Sequence, residues 1–330
     1  MKVFAQNVPR EAMLAAIIIV LLALIGLRAP VFLSPGNLLG VLTDTSFLFM
    51  LALAQMAVIL TRGIDLSVAA NLALSGMIVT LADRAHPGLS LSVLFALAAL
   101  SGLILGAFNG ALIAFVGIPP IVVTLGTLSI YRGLIFIIAG GQWLTSNDMS
   151  PSFLAFPRDT LLGVPNLLVV ALGVIVFFWL LLNHTSFGRN LYAIGGNPVA
   201  ARYCGISLTR QIFVVYVLSG LISGLCGLLW VSRYGIAYSG IAQGYELTVI
   251  AACVIGGVSI AGGIGSIAGA LLGALFLGII VNALPVMQVS PFWQVLVSGV
   301  VILLAVVLNA RSEHRAGRLI LKAPAREGTP

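Results

Sequence analysis

An all-α polytopic membrane bundle is the fold class this sequence predicts, and three observations predict it. The charged fraction is 8 %, against roughly 25 % in an ordinary soluble chain. Apolar residues fill 60 % of 330 positions before the 37 glycines are counted, and 16 basic plus 9 acidic side chains cannot cover a water-facing surface. The uncharged runs are also too long for a soluble core. No formal charge occurs in the 64 residues between Glu246 and Arg311, or in the 47 between Arg84 and Arg132. Each run is more than twice the ~20 residues that cross a bilayer core. The stretches are continuous and rich in Leu, Ala, Ile and Gly, without the ten-residue alternation of a transmembrane strand, so they are helices and not a barrel.

About ten spans follow in order. The first, 12–27, comes after Lys2 and Arg10 and has the shape of a signal-peptide core, but no convincing small-residue cleavage site follows it, so it reads as a retained helix. Next come 39–60, 66–82 and 91–115, the last with Gly102, Gly106 and Gly110 at four-residue spacing. Span 119–139 encloses Arg132, and 167–183 is uninterrupted. Gly220 and Gly224 mark 212–231, 247–262 follows, Gly265, Gly269 and Gly273 mark 266–284, and 293–309 closes the set. Small residues four apart let helix backbones approach closely and so predict tight packing, without naming a function.

Basic residues set the orientation. With the amino terminus inside, the inner connections and tails hold Lys2, Arg10, Arg62, Arg189, Arg202, Arg210, Arg311, Arg315, Arg318, Lys322 and Arg326, while the outer ones hold Arg28, Arg84, Arg158 and Arg233. That bias is the positive-inside expectation, so both termini are expected to be cytoplasmic. The net charge of +7 then reflects anchoring at the inner leaflet and not nucleic-acid binding. Three cysteines, Cys204, Cys226 and Cys253, form no disulfide framework.

The chain reads as one membrane domain, 1–330, with cytoplasmic tails 1–11 and 311–330. Two connections are long. The outer stretch 140–166 is large enough to present a surface to an extracytoplasmic partner. The inner stretch 184–211 carries a helix signature: Asn197 as N-cap, Pro198 at the first position, and Gly205 as the left-handed residue past the end. Arg202 is displayed among small neighbours between them. Such an element is either a capped helix lying at the interface or a docking point for a cytoplasmic subunit.

Nucleotide and metal chemistry are excluded. The only lysines, Lys2 and Lys322, lie outside any Gly-Lys-Ser/Thr phosphate loop. Gly263, Gly265 and Ala268 match G-x-G-x-x-A formally, but they join two membrane spans where no βαβ unit forms. His86, His184 and His314 are scattered, with no ligand spacing around them. The polar residues at membrane depth carry more weight. A central Arg costs about 2.5–3.5 kcal/mol on the insertion scale, so Arg132 needs compensation. Asp44 is the one acidic residue these boundaries place inside a span. Either the two pair or jointly line a polar path, or Arg132 snorkels outward and Asp44 caps a helix. Gln55, Asn71, Asn109 and Asn282 either serve a hydrated route or bond between helices. The scarcity of carboxylates argues against ion pumping and favours a neutral, hydroxyl-rich solute.

Four segments, GIDLSVAANLAL (63–74), PPIVVTLGTLSIYRGL (119–134), FGRNLYAIGGNPVAARYCGI (187–206) and YELTVIAACVIGGVSIAGGIGSIAGALLGALFLG (245–278), together resemble the permeases of ATP-binding-cassette importers of the ribose type. This is the second carbohydrate-uptake class, related more distantly to branched-chain amino-acid permeases. The resemblance runs over nearly the whole chain. It implies a non-enzymatic transport subunit in the bacterial inner membrane, dimerising with a second copy or a paralogue. Two cytoplasmic ATPase subunits, which alone bind ATP and Mg, would dock on it, and a periplasmic sugar-binding protein would deliver solute. By the same likeness, Gly188, Arg189, Asn197, Pro198, Ala201, Arg202 and Gly205 belong to the ATPase-coupling loop. Asp44, Gln55, Asn109 and Arg132 are the expected translocation-path residues. Two departures stand out: many relatives have Gly where this chain has Arg62, and Arg where it has Ile264. The Arg62 pattern is similar to permeases for rhamnose or for autoinducer-2, with rhamnose narrowly preferred. An ion-coupled secondary carrier, a channel and an export permease are the rivals.

Overall fold

The computed structural model describes residues 10–288 together with positions 293, 296, 299, 300 and 303. Within them the helices are α1 Arg10–Arg28, α2 Pro35–Leu60, α3 Val68–Ala85, α4 Leu91–Ala111, α5 Pro120–Ala139, α6 Pro151–Ala155, α7 Asn166–His184, α8 Ser186–Gly196, α9 Pro198–Tyr203, α10 Leu208–Tyr234, α11 Tyr245–Ile255 and α12 Ile267–Val286. A π turn, Leu112–Val116, extends α4. Four two-residue strands, β1 Leu144–Thr145, β2 Thr160–Leu161, β3 Val164–Pro165 and β4 Ile236–Ala237, pair antiparallel as β1 with β4 and β2 with β3. Several helices open on proline, whose fixed φ suits a first turn where its missing N–H costs nothing.

Among the described residues, eight helices, α1 to α5, α7, α10 and α12, are long and apolar enough to cross a membrane, so the chain is an all-α, multi-pass membrane protein. The expected span 247–262 is shorter than predicted. Its helix, α11, stops at Ile255, because the following GGVSIAGGIG segment turns through left-handed Gly257 (φ 86°) and Gly263 (φ 74°), conformations that end a helix. The predicted span 293–309 and both tails fall outside the described residues, apart from the few positions named above and the first residues of α1.

Helix α2 is the axis of the core. Nearly every side chain from Thr43 to Leu60 is buried, and the helix packs on α12, α10, α7 and α11. Helix α10 packs most heavily on α4 and α3. There the predicted backbone-to-backbone contact is found: a Cβ added at Gly102 or at Gly106 would come within 2.8 Å of the Cα of Gly224 or Gly220 respectively, and closer still to carbonyl oxygens of α10. The outward faces of α1, α4, α5 and α7 expose Leu24, Ile104, Ile137 and Trp179, as lipid-facing surfaces do.

The connections sort to the two ends of the bundle. At one end the 61–67 loop, the α8–α9 segment and the 256–266 loop interlock: Gly263 N donates to Leu60 O at 3.1 Å, and Tyr192 OH to Gly265 O at 3.1 Å. At the other end the 140–166 stretch folds over α3 and α10. Asp83 accepts from Ser150 N (2.7 Å) and Ser150 Oγ (2.8 Å), Arg84 lies 3.4 Å from Asp148, and Arg158 Nη2 donates to Arg233 O at 2.9 Å. Arg62, Arg189, Arg202 and Arg210 thus belong to the first end, and Arg84, Arg158 and Arg233 to the second.

Candidate functional site

Among the described residues, two connections between helices, one at each end of the bundle, have their backbone satisfied by polar side chains from neighbouring helices.

The first connection joins α2 to α3. Asp65 sits in this seven-residue loop with 3 % of its surface exposed. Its Oδ1 accepts from Ser67 N (3.0 Å) and Ser67 Oγ (2.7 Å), and its Oδ2 accepts from Ser219 Oγ of α10 (2.9 Å). Asn109 Nδ2 donates to Ser67 Oγ at 2.8 Å, and Tyr131 OH donates to Leu105 O at 2.8 Å and reaches Asn109 Oδ1 at 3.4 Å. With its amide oriented to suit its neighbours, Gln55 donates to Asp65 O (3.2 Å) and accepts from Asp65 N (3.1 Å). Thr124 Oγ1 closes the loop by donating to Ile64 O at 3.1 Å. The carboxylate itself is bonded by Ser67 and by Ser219 of α10, while side chains of α2, α4 and α5 bond the loop around it. Hydrogen bonds of this number offset the hydration that a buried carboxyl group loses.

The second connection joins α10 to α11 from the opposite end. Arg132, on α5, donates through Nη1 to Ser239 O and to Ile241 O, each at 2.7 Å. Those carbonyls belong to the non-helical run between β4 and α11. The Glu246 carboxylate acts on the guanidinium electrostatically, with no ion pair within 4.0 Å among the described residues.

One of the alternatives for Arg132 and Asp44, that the two pair, is corrected by this geometry. Asp44 Oδ1 instead accepts from Arg233 Nη2 at 3.1 Å, at the end of α10. Main-chain oxygens compensate the Arg132 charge because the loop after β4 brings unpaired carbonyls to its depth, while Asp44 finds an arginine closer to the surface. Asp44 is also not alone inside a helix: α3 extends far enough to include Asp83, and α11 starts early enough to include Glu246. Of the four expected path residues, Gln55 and Asn109 come together at Asp65 and are buried, whereas Asp44 and Arg132 lie apart and half-buried.

The predicted capped helix is α9. Asn197 Oδ1 accepts from Val199 N and Ala200 N, both at 3.1 Å, Pro198 is the first helical residue, and Gly205 has φ 79°. Ahead of it lies α8, which the sequence reading left as loop; its Leu191, Ile194 and Gly195 face the bundle. Gly188 packs on the backbone of Leu182, and Ala201 is buried, while Arg189 and Arg202 are exposed, Val199 is 64 % exposed and Tyr203 is 88 % exposed. Cys204, just past α9, is exposed, and Cys226 and Cys253 are buried. Gly195 presses against Leu60 O and Gly263 N, so the α8–α9 unit is seated on the two neighbouring loops and does not hang free.

Residues 37–306 match the family described as the permease component of branched-chain amino acid transport systems. The chain belongs to that permease family. Among its curated relatives, the ribose import permease protein RbsC of Bacillus subtilis (strain 168) is 38 % identical, over 88 % of this chain and 90 % of its own length. The autoinducer 2 import system permease protein LsrC of Enterobacter sp. (strain 638) is 36 % identical, over 94 % and 89 %. The galactose/methyl galactoside import permease protein MglC of Escherichia coli (strain K12) is 32 % identical, over 91 % and 94 %. No solved structure matches the chain. The resemblance to ribose-type permeases carried by the four segments is thereby shown.

In this permease the residue that sequence reasoning passed over is Asp65. Hydropathy alone does not single it out, because it lies in the short connection between two apolar runs. A signal existed: GIDLSV, 63–68, recurs as GYELTV, 244–249, with an acid at the third place of both and Ser or Thr at the fifth.

Proposed function

We propose that this chain is the transmembrane subunit of an ATP-driven, binding-protein-dependent importer of a small sugar, set in the bacterial inner membrane with about ten spans and both termini cytoplasmic. The observation that carries the reading is α9. A short helix capped at both ends exposes Val199, Arg202 and Tyr203 at its tip and is braced against the bundle, in a chain with no phosphate loop of its own. Cytoplasmic ATPase subunits, holding ATP and Mg, dock there, with Gly188, Asn197, Pro198, Ala201 and Gly205 shaping the element and Arg189 and Arg202 facing the partner. The likeness to import permeases supports this division of labour. The 140–166 layer receives a periplasmic sugar-binding protein, and a second permease copy or a paralogue completes the path. Closure of the ATPases moves α8–α9 as a rigid body. Asp44, Gln55, Asn109 and Arg132 influence passage, the buried pair by holding helices together.

The solute is a small hydroxylated molecule. Rhamnose is the first candidate, with autoinducer-2, ribose and galactose beside it. Proteoliposomes containing the permease, its ATPase and its binding protein should accumulate one of these labelled solutes only when ATP is supplied. Accumulation by the permease alone, driven by an ion gradient, overturns the importer and supports a secondary carrier.

A further inference from the structure

The two connections are copies of one motif built at opposite ends of the bundle. GIDLSV and GYELTV align without a gap, so Asp65 corresponds to Glu246 and Ser67 to Thr248. Their surroundings correspond too. Helix α2 leads into the first copy and α10 into the second, and each copy is followed by a helix, α3 or α11, that packs against the opposite leading helix. Helix α12 is rich in small residues, as α4 is, and meets α2 where α4 meets α10. The chain thus holds two halves of inverted orientation.

The copies differ in where they sit, Asp65 and Ser67 in the loop before α3 and Glu246 and Thr248 in the first turn of α11, and in how the acid is bonded. Asp65 has both oxygens bonded, one to Ser67 in its own loop and one to Ser219 across on α10, the leading helix of the other half. Glu246 Oε2 is buried and has no hydrogen-bond partner among the described residues, and Thr248 makes no side-chain bond to it. Glu246 is half-buried and faces the Arg132 charge without a hydrogen bond, so its buried oxygen is the acceptor in this motif that is left open to a donor from the other half. In carriers built from inverted halves, the two halves exchange conformations as access alternates between the faces.

We infer that Asp65 and Glu246 are alternating latches: the Asp65 carboxylate ties the two halves together at the α8–α9 end in the state seen here, and the Glu246 carboxylate ties them at the 140–166 end in the opposite state. Thr248 takes the part of Ser67 in that second state. The two carboxylates act on the position of the helices and touch no solute. This goes beyond the proposed importer role, since a carrier of any energy source would need such latches.

The test uses full-length permease in lipid nanodiscs, without ATPase or solute, so its failure is distinct from failure of the importer reading. In a Cys204→Ser background, Ser239→Cys reports the 140–166 end and Ser259→Cys, at a buried position, reports the α8–α9 end. The rate of maleimide alkylation is read at each. Asp65→Asn should speed alkylation at 259 and slow it at 239, and Glu246→Gln should do the reverse. Each shift should be about fivefold, the population ratio that one lost hydrogen bond implies. Ser219→Ala, which removes only the bond between the halves, replaces Asp65→Asn if that variant fails to assemble, and should match its direction. Shifts of the same sign in both variants, or an unchanged ratio with Glu246→Gln, overturn the inference.

Discussion

Arg62 Nε donates to the carbonyl oxygen of Gly195 at 2.8 Å, across 133 positions of sequence, and its Nη2 reaches Gly196 O at 3.1 Å. The arginine holds the carboxy-terminal turn of α8 while its own backbone, at φ 67°, is left-handed. That conformation costs a non-glycine residue roughly 1–2 kcal/mol, and two bonds to the neighbouring helix offset it. The side chain therefore links the α8–α9 segment to the loop that carries Asp65, three residues on.

Substituting Arg62 separates these two effects. Arg62→Gly accepts the backbone conformation freely but loses both bonds, so fold stability should change by less than about 1 kcal/mol. Arg62→Ala loses the bonds and keeps the strain, and should melt lower in detergent. Both variants should retain ATPase activity in the assembled complex while solute uptake per ATP falls. Uptake per ATP equal to the parent would show that Arg62 only shapes its loop.

At the opposite end, Arg132→Ala removes two charge-assisted donors from Ser239 O and Ile241 O, each bond worth about 1.5–3 kcal/mol. The run between β4 and α11 should become sensitive to protease, and uptake should fall at least about tenfold. Arg132→Lys keeps the charge on a shorter, differently directed donor, and should fall between Arg132→Ala and the parent. Normal uptake by Arg132→Ala at normal membrane abundance would remove the residue from function.

How much of this was legible beforehand depends on which force sets each feature. The long helices and their order were readable because lipid demands continuous apolar runs. The cap of α9 was readable because Asn197, Pro198 and Gly205 act through local backbone chemistry. Asp65 was not, because its meaning comes from Ser219, 154 positions away, which only folding brings to it. The partners of Arg132 were missed for a related reason. A search for opposite charge cannot find main-chain carbonyls, and only folding brings Ser239 and Ile241 to that side chain.

Glycine contacts give a stability test with an internal control. Gly102→Ala places a methyl group against the backbone of Gly220 and Gly224 and should destabilise the permease by about 1–3 kcal/mol. Gly126→Ala, on α5 with open space around it, should be neutral or stabilising by up to about 1 kcal/mol. Thermal melting in one detergent compares them, and equal melting temperatures would contradict the observed packing of α4 on α10.

The docking face makes a prediction with graded severity. Asn197→Ala deletes the cap of α9 at a cost of about 1 kcal/mol and should weaken capture of the ATPase only moderately. Arg202→Glu reverses an exposed charge without touching the helix, and should reduce co-purification of the ATPase more strongly. Equal recovery with Arg202→Glu and parent would place the contact elsewhere.

Cys204 stands one step beyond the Tyr203 side chain, open to solvent, while the other two thiols are sealed among helices. The native polypeptide thus comes with its own handle for a fluorescent dye, beside the surface that would meet the motor. Attachment of an emitter there lets arrival and departure of a soluble subunit be watched in real time, through quenching or energy transfer, without altering a single residue.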